Sequence, residues 1–165
     1  MARLITAWAE PYLSGPAFVP VVDPQGAVVV TEAGTGPYTQ RVTAGHHVLT
    51  ADEPVSVGGA DAGPNPYELL LAALGACTSM TLRMYAERKG LPLRRTTVRP
   101  WHDRVHAEDC AQTEQRFGML SRIRREITMK GPLTDEDRQN LVEIADRCPV
   151  HRTLSSEIAV ETTGA

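Results

Sequence analysis

Three cysteines in 165 residues are too few, and odd in number, for a disulfide framework. No stretch comes near the ~20 apolar residues of a membrane-spanning helix, which argues against a membrane protein. The short apolar start ends at Glu10 and Pro11, so no signal peptide is expected and the expected location is cytoplasmic. A basic excess is missing too. The net charge is −3, which argues against a nucleic-acid or anionic-membrane partner. The local exception is Arg122, Arg124 and Arg125, which alternate with apolar residues like a solvated strand face. There is no phosphate-binding glycine loop, because Gly58-Gly59 and Gly63 do not bridge a strand and a helix in the required form. No Gly-x-Ser-x-Gly nucleophile elbow occurs either.

What remains is an ordinary globular composition and enough chain for one domain, residues 1–165, with its own core. Residues 4–8, 27–31, 38–43 and 46–50 read as short strands separated by Pro, Gly and Asp, which predicts a β-meander. Asn65, Pro66 and Glu68 then form a helix start of the capping-box type, with proline in the first position. The helix runs over 66–89 and stops at Gly90. From Leu69 to Cys77 every residue is Leu, Ala, Gly or Cys, so this half is expected to be buried on all sides.

Residues 96–102 read as a strand broken by Pro100, which suggests an edge. Residues 103–117 look irregular. Residues 120–130 alternate, with Ile123, Ile127 and Met129 on one face and Arg122, Arg124, Glu126 and Thr128 on the other. Thr134 caps a second helix whose first turn carries Asp135, Glu136 and Asp137 and which ends near Arg147. Residues 156–162 read as a last strand. Strands, long helix, strands, helix and strand make an α+β chain, with helices packed on antiparallel sheet.

Two thiols in a reducing compartment are more often catalytic, redox-sensing or metal-binding than structural. Cys77 lies mid-helix, where the apolar half gives way to Arg83, Glu87, Arg88 and Lys89. Cys148 precedes Pro149, which ends one helix and can open a new turn. Free N–H groups at such a start, with Arg147 and Arg152 nearby, lower a thiol pKa. Each cysteine has an ordinary reading as a small buried hydrophobe. They stand 71 residues apart, so only the fold can join them. Cys110, beside Glu108 and Asp109, is read as incidental. His46, His47, His102, His106 and His151 fit no zinc spacing, and Cys148 with His151 supplies two ligands at most.

The segment Gly63-Pro-Asn-Pro-Tyr-Glu-Leu-Leu-Leu-Ala-Ala-Leu-Gly-Ala-Cys77-Thr-Ser-Met, with Ala145-Asp-Arg-Cys148-Pro-Val-His downstream, resembles the OsmC/Ohr family. The likeness is to its divergent OsmC-like branch, with Asp52-Glu53-Pro54 before a Gly-Gly turn, and it is clearest over 38–162. The resemblance implies an OsmC-like fold in an intertwined homodimer. It also implies reduction of organic hydroperoxides without metal, haem or flavin. Cys77 would be the attacking thiolate that becomes a sulfenic acid, Cys148 would close a disulfide, and an external dithiol would restore both. The apolar half-helix would suit an alkyl group.

The family's peroxidases carry Glu directly after the Asn-Pro pair and a partner Arg near the N-terminal hairpin. Here Tyr67 takes the Glu position and Glu68 follows, about 100° further around the helix. Arg41 is the expected arginine. This departure keeps open a non-catalytic reading, in which the dimer binds a small molecule or senses redox state. A metal site at Cys148 and His151 is a third reading.

Overall fold

The computed structural model describes residues 23–106 and 119–164. Strand 4–8 and Cys110 lie outside them. The chain forms two compact units, one ending at Asn65 and the other beginning at Pro66.

The first unit is the expected meander. Strands β1 (Val29–Glu32), β2 (Gln40–Ala44) and β3 (His47–Ala51) pair antiparallel in the order β1-β2-β3. Gly45, at φ +59°, makes the β2–β3 turn. Arg41 is partly buried on β2, opposite Thr31 and Thr50.

Beyond β3 the loop is organised by one carboxylate. Asp52 is buried, and its oxygens accept from Thr39 Oγ1 at 3.2 Å and from the N–H groups of Glu53 (2.9 Å), Ala60 (3.1 Å) and Ala62 (3.2 Å). The loop closes so tightly that a Cβ on Gly59 would lie 1.8 Å from the Glu53 carbonyl oxygen. Burial works against the Asp52 charge, but these donors outweigh it and hold the carboxyl below its ordinary value. A carboxyl pKa lowered in the folded state stabilises the fold above the unfolded value of 3.8, and that contribution is lost as pH falls through the folded pKa. Asp52→Asn puts an NH2 group among donors. It is expected to remove hydrogen-exchange protection at the Ala60 and Ala62 amides at neutral pH and to flatten their acid-side loss of protection. Protection equal to wild type would show that the charge does not organise the loop.

The second unit is built on helix α1 (Pro66–Lys89). Gly90, at φ +66°, stops it: its N–H bonds Glu87 O at 3.2 Å and the Leu91 N–H bonds Ala86 O at 2.9 Å, the two bonds of a Schellman ending. Strands β4 (Arg95–His106) and β5 (Met119–Lys130) pair antiparallel along their whole length. Helices α2 (Asp135–Ala145) and α3 (Pro149–Leu154) follow. Thr134 caps α2 as expected, in a reciprocal capping box with Asp137. Helix α1 packs against β4, α2 and α3. Its buried line, Leu74, Thr78, Leu82 and Ala86, recurs every fourth residue. Leu82 and Ala86 enter a core with Leu93, Leu133, Leu141 and Ala145.

Several expectations need correction. Pro100 does not break its strand: β4 runs through it, opposite Arg125, and continues to His106 where irregular chain was expected. A proline is tolerated where its nitrogen faces away from the only partner strand, and among the described residues β4 pairs with β5 alone. Residues 156–162 alternate but make no ladder with any described strand, because alternation does not itself supply a partner. The first half of α1 is not buried all round in one chain. Leu74 is buried, whereas Ala72, Ala73 and Ala76 are exposed. By length and mean hydropathy α1 is also apolar enough to cross a membrane, where no such segment was expected, because its Leu/Ala start outweighs its few charges. Its buried line nonetheless serves as the core of this unit.

Candidate active site

Cys77 comes from the middle of α1, one position before the buried Thr78. Cys148 caps the start of α3, and Pro149 takes the first helical position. Ala145 O accepts from the Cys148 N–H at 3.3 Å, so the end of α2 fixes where α3 begins. The fold thus brings together two thiols 71 residues apart, in hydrogen-bonding contact with each other. Both are reduced. Cys148 has no exposed surface, whereas Cys77 is partly exposed.

The two sulfurs have unequal surroundings. Burial pushes the Cys77 thiol above the ordinary cysteine range, and its contact with Cys148 adds to that. The Val150 N–H and the Thr81 hydroxyl offset this only in part. Burial opposes ionisation at Cys148 as well, but more donors face that sulfur: the Cys77 thiol, the His151 N–H, the Thr78 hydroxyl and the Val150 N–H. Their sum holds Cys148 below the ordinary range. The two N–H groups act as oriented dipoles here, since no side-chain cap bond of regular geometry forms at this helix start. These surroundings favour Cys148 over Cys77 for the first negative charge on the pair.

The residues that touch the thiols also line hollows. Thr81 lines one of about 380 Å³ with Met84, Tyr85, Arg88, Ile144 and Arg147. Arg125, bonded to Thr78, lines a larger one of about 600 Å³ with Tyr67, Leu70, Leu74, His102 and Ile123. There the Tyr67 ring stacks on His102, with centroids 4.7 Å apart and planes 20° from parallel. Tyr67 is thus part of a cavity wall.

Glu68 is exposed in the first turn of α1, nine residues before Cys77, which is about 13 Å along the axis. It borders a groove with Ala72, Gly75, Ala76 and Pro100, and neither thiol lines that groove. Arg41 belongs to the first unit, on β2. His151 gives its backbone N–H to the Cys148 sulfur, while its ring Nδ1 lies 4.0 Å from Asp146. Among the described residues no three His, Cys, Asp or Glu side chains gather as a metal site.

Two residues of the site escaped the sequence reading. Thr78 is a polar side chain on the buried line of α1. Arg125 was grouped with Arg122 and Arg124 as solvated, and that needs correction. Arg122 and Arg124 do share a face, both bonded to Asp103, at 2.8 and 2.7 Å. Arg125 shares parity with Ile123, Ile127 and Met129 and points inward, its side chain 12% exposed. An arginine on the apolar parity of a strand was the signal.

The model of the family described as OsmC-like protein matches residues 58–163. No curated protein matches the chain in sequence. Among solved structures, the chain is similar to an OsmC-like protein from Mycoplasma pneumoniae, with 18% identity and a TM-score of 0.60 over 80% of this chain and 88% of that one. It is similar to an organic hydroperoxide resistance protein from Elizabethkingia anophelis, solved with crystallant-derived thiocyanate bound, with 23% identity and a TM-score of 0.55 over 77% and 86% of the two chains. It is also similar to the organic hydroperoxide resistance protein OhrB of Bacillus subtilis, with 20% identity and a TM-score of 0.51 over 77% and 89%. These likenesses show the fold.

Proposed function

The chain belongs to the OsmC-like protein family, and from that premise we propose that it is a cytoplasmic thiol-dependent peroxidase that reduces organic hydroperoxides in oxidative-stress defence. The observation that carries the proposal is the contact between Cys77 and Cys148, with the partly exposed residue on one side and the better-stabilised charge on the other.

The division of labour follows from exposure and charge. A hydroperoxide can reach Cys77 and not the fully buried Cys148. The Cys148 thiolate takes the Cys77 proton. The Cys77 thiolate then attacks the terminal oxygen of the hydroperoxide, an S–O bond forms and the O–O bond breaks. The leaving alkoxide takes the proton from Cys148 and departs as the alcohol. Cys148, again a thiolate, attacks the Cys77 sulfenic sulfur, and hydroxide leaves and is protonated to water. An external dithiol reduces the resulting disulfide and is itself oxidised. Leu70, Leu74 and Ile123 offer an apolar wall for the alkyl group.

A dithiol-coupled assay across alkyl hydroperoxides of rising size tests this reading. It predicts turnover with alkyl hydroperoxides above that with hydrogen peroxide. No turnover with any of them, using fully reduced protein, would refute it. One observation favours a redox-sensing module instead: the stabilised thiolate is the buried one. That reading predicts a disulfide after oxidant but no sustained turnover with dithiol.

We further propose a homodimer. The exposed line Ala72, Ala76, Met80 and Met84 runs along α1 opposite its buried line, with Met80 65% and Met84 70% exposed. A helix apolar on both faces calls for a second cover, and a second copy supplies it. Light scattering is expected to give twice the chain mass of 18.0 kDa, and Met80→Glu with Met84→Glu is expected to give the monomer. A wild-type monomer at micromolar concentration would contradict the proposal.

A further inference from the structure

The dithiol has a support that the peroxidase chemistry does not itself require. Arg125 Nη1 donates to Thr78 Oγ1 at 2.9 Å. Its Nη2 is paired with Asp146, the residue that closes α2 just before Cys148. Thr78 has no exposed surface, so water cannot compete for its hydroxyl. A hydroxyl has one hydrogen and two lone pairs, and its hydrogen can turn to suit its neighbours. A cationic donor on one lone pair decides the turn: the hydroxyl hydrogen must point away from Arg125. The Cys148 sulfur is the acceptor in contact with Thr78. A charged donor also polarises the O–H bond and strengthens what it gives.

We propose that Arg125 is a positioning residue for the dithiol: it fixes the Thr78 hydroxyl as a hydrogen-bond donor to the Cys148 sulfur. The inference deepens the site proposed above and rests on that reading for its use in closing the disulfide. It makes Cys148 the standing base and the ready resolving thiolate, and leaves Cys77 protonated until substrate arrives. The Asp146 carboxylate clamps the guanidinium from the other side. Asp146 is largely exposed while Arg125 is not, so the clamp orients the arginine more than it neutralises it. Among the described residues, the other charged or titratable groups around the pair include His151 on α3, beside Asp146, and Arg147 between α2 and α3, which lines a hollow with Thr81.

The test is a thiolate titration by ultraviolet absorbance on reduced full-length protein carrying Cys110→Ala, so that only the pair is read. Arg125→Met is expected to raise the first midpoint by about one pH unit, a tenfold loss of thiolate below it. Thr78→Val, which keeps shape and loses the hydroxyl, is expected to raise it equally. The double variant is expected to go no further, because both changes cut one relay. Thr78→Ser is expected to restore the wild-type midpoint. A role in packing alone would lower the melting temperature without moving the midpoint. An unmoved midpoint in folded Thr78→Val, or additive shifts in the double variant, would overturn the inference. If Arg125→Met does not fold, Thr78→Val and Thr78→Ser still decide it. The titration uses no peroxide, so shifted midpoints without turnover would sink the peroxidase reading alone. Turnover with unmoved midpoints would sink this relay alone.

Discussion

Replacing Cys77 with serine is expected to reduce hydroperoxide turnover to the uncatalysed rate. The reacting species is a thiolate, and a serine hydroxyl at the same place is neither ionised near neutral pH nor able to hold oxygen as a sulfenic acid. Cys148 cannot take over, since its sulfur is fully buried and a hydroperoxide has no path to it. Cys148→Ser is expected to behave differently. The attack at Cys77 slows because its base is gone, but it still occurs once. The sulfenic acid then persists, because no resolving thiol stands beside it, and a sulfenic-acid trap should label Cys77 stoichiometrically. A peroxidase assay and trapping on the two variants read both outcomes. Turnover by Cys77→Ser above background would move the attack to another thiol.

Leu82→Ala is expected to give the largest loss of stability. Leu82 has no exposed surface and sits one turn beyond Thr78, against Leu93, Leu133 and Leu141. Removing a buried leucine side chain costs about 2–5 kcal/mol, counting lost transfer energy and the cavity left behind. A domain of ordinary stability has about 5–15 kcal/mol in all. The melting temperature should therefore fall by roughly 10 °C. Val142, 50% exposed on α2, is the control, and its change to alanine should cost less than about 1 kcal/mol. The comparison also tests whether α1 is held as a core helix, because a helix that owed its stability elsewhere would tolerate Leu82→Ala as well as Val142→Ala.

The long helix was legible because its signals are local: Pro66 at the first position, Glu68 in the first turn, Gly90 at the stop. The meander was legible for the same reason, with strand ends displaced by one or two residues where loops and strands share Thr and Gly. Less visible was what depends on partners. Pro100 reads as a break until the strand is seen to pair on one side only. Residues 156–162 carry a strand's alternation and pair with no described strand. The first half of α1 is apolar all round, and one chain covers only part of it. The site divides in the same way. Each cysteine had a place in the sequence, but their contact needs two helix junctions and a core to form. Arg125 and Thr78 were recoverable in principle, as polar residues at apolar positions of β5 and α1. They were passed over because Arg122 and Arg124 made the arginines look like a single solvated face.

The central claim is that Cys77 and Cys148 act as one redox unit. Its most direct test is peptide mass spectrometry of the fully reduced protein after one equivalent of an alkyl hydroperoxide, quenched with an alkylating agent. A single Cys77–Cys148 disulfide, with Cys110 still alkylated, is the result this account predicts. Two thiols that remain alkylatable at Cys77 and Cys148 would contradict it.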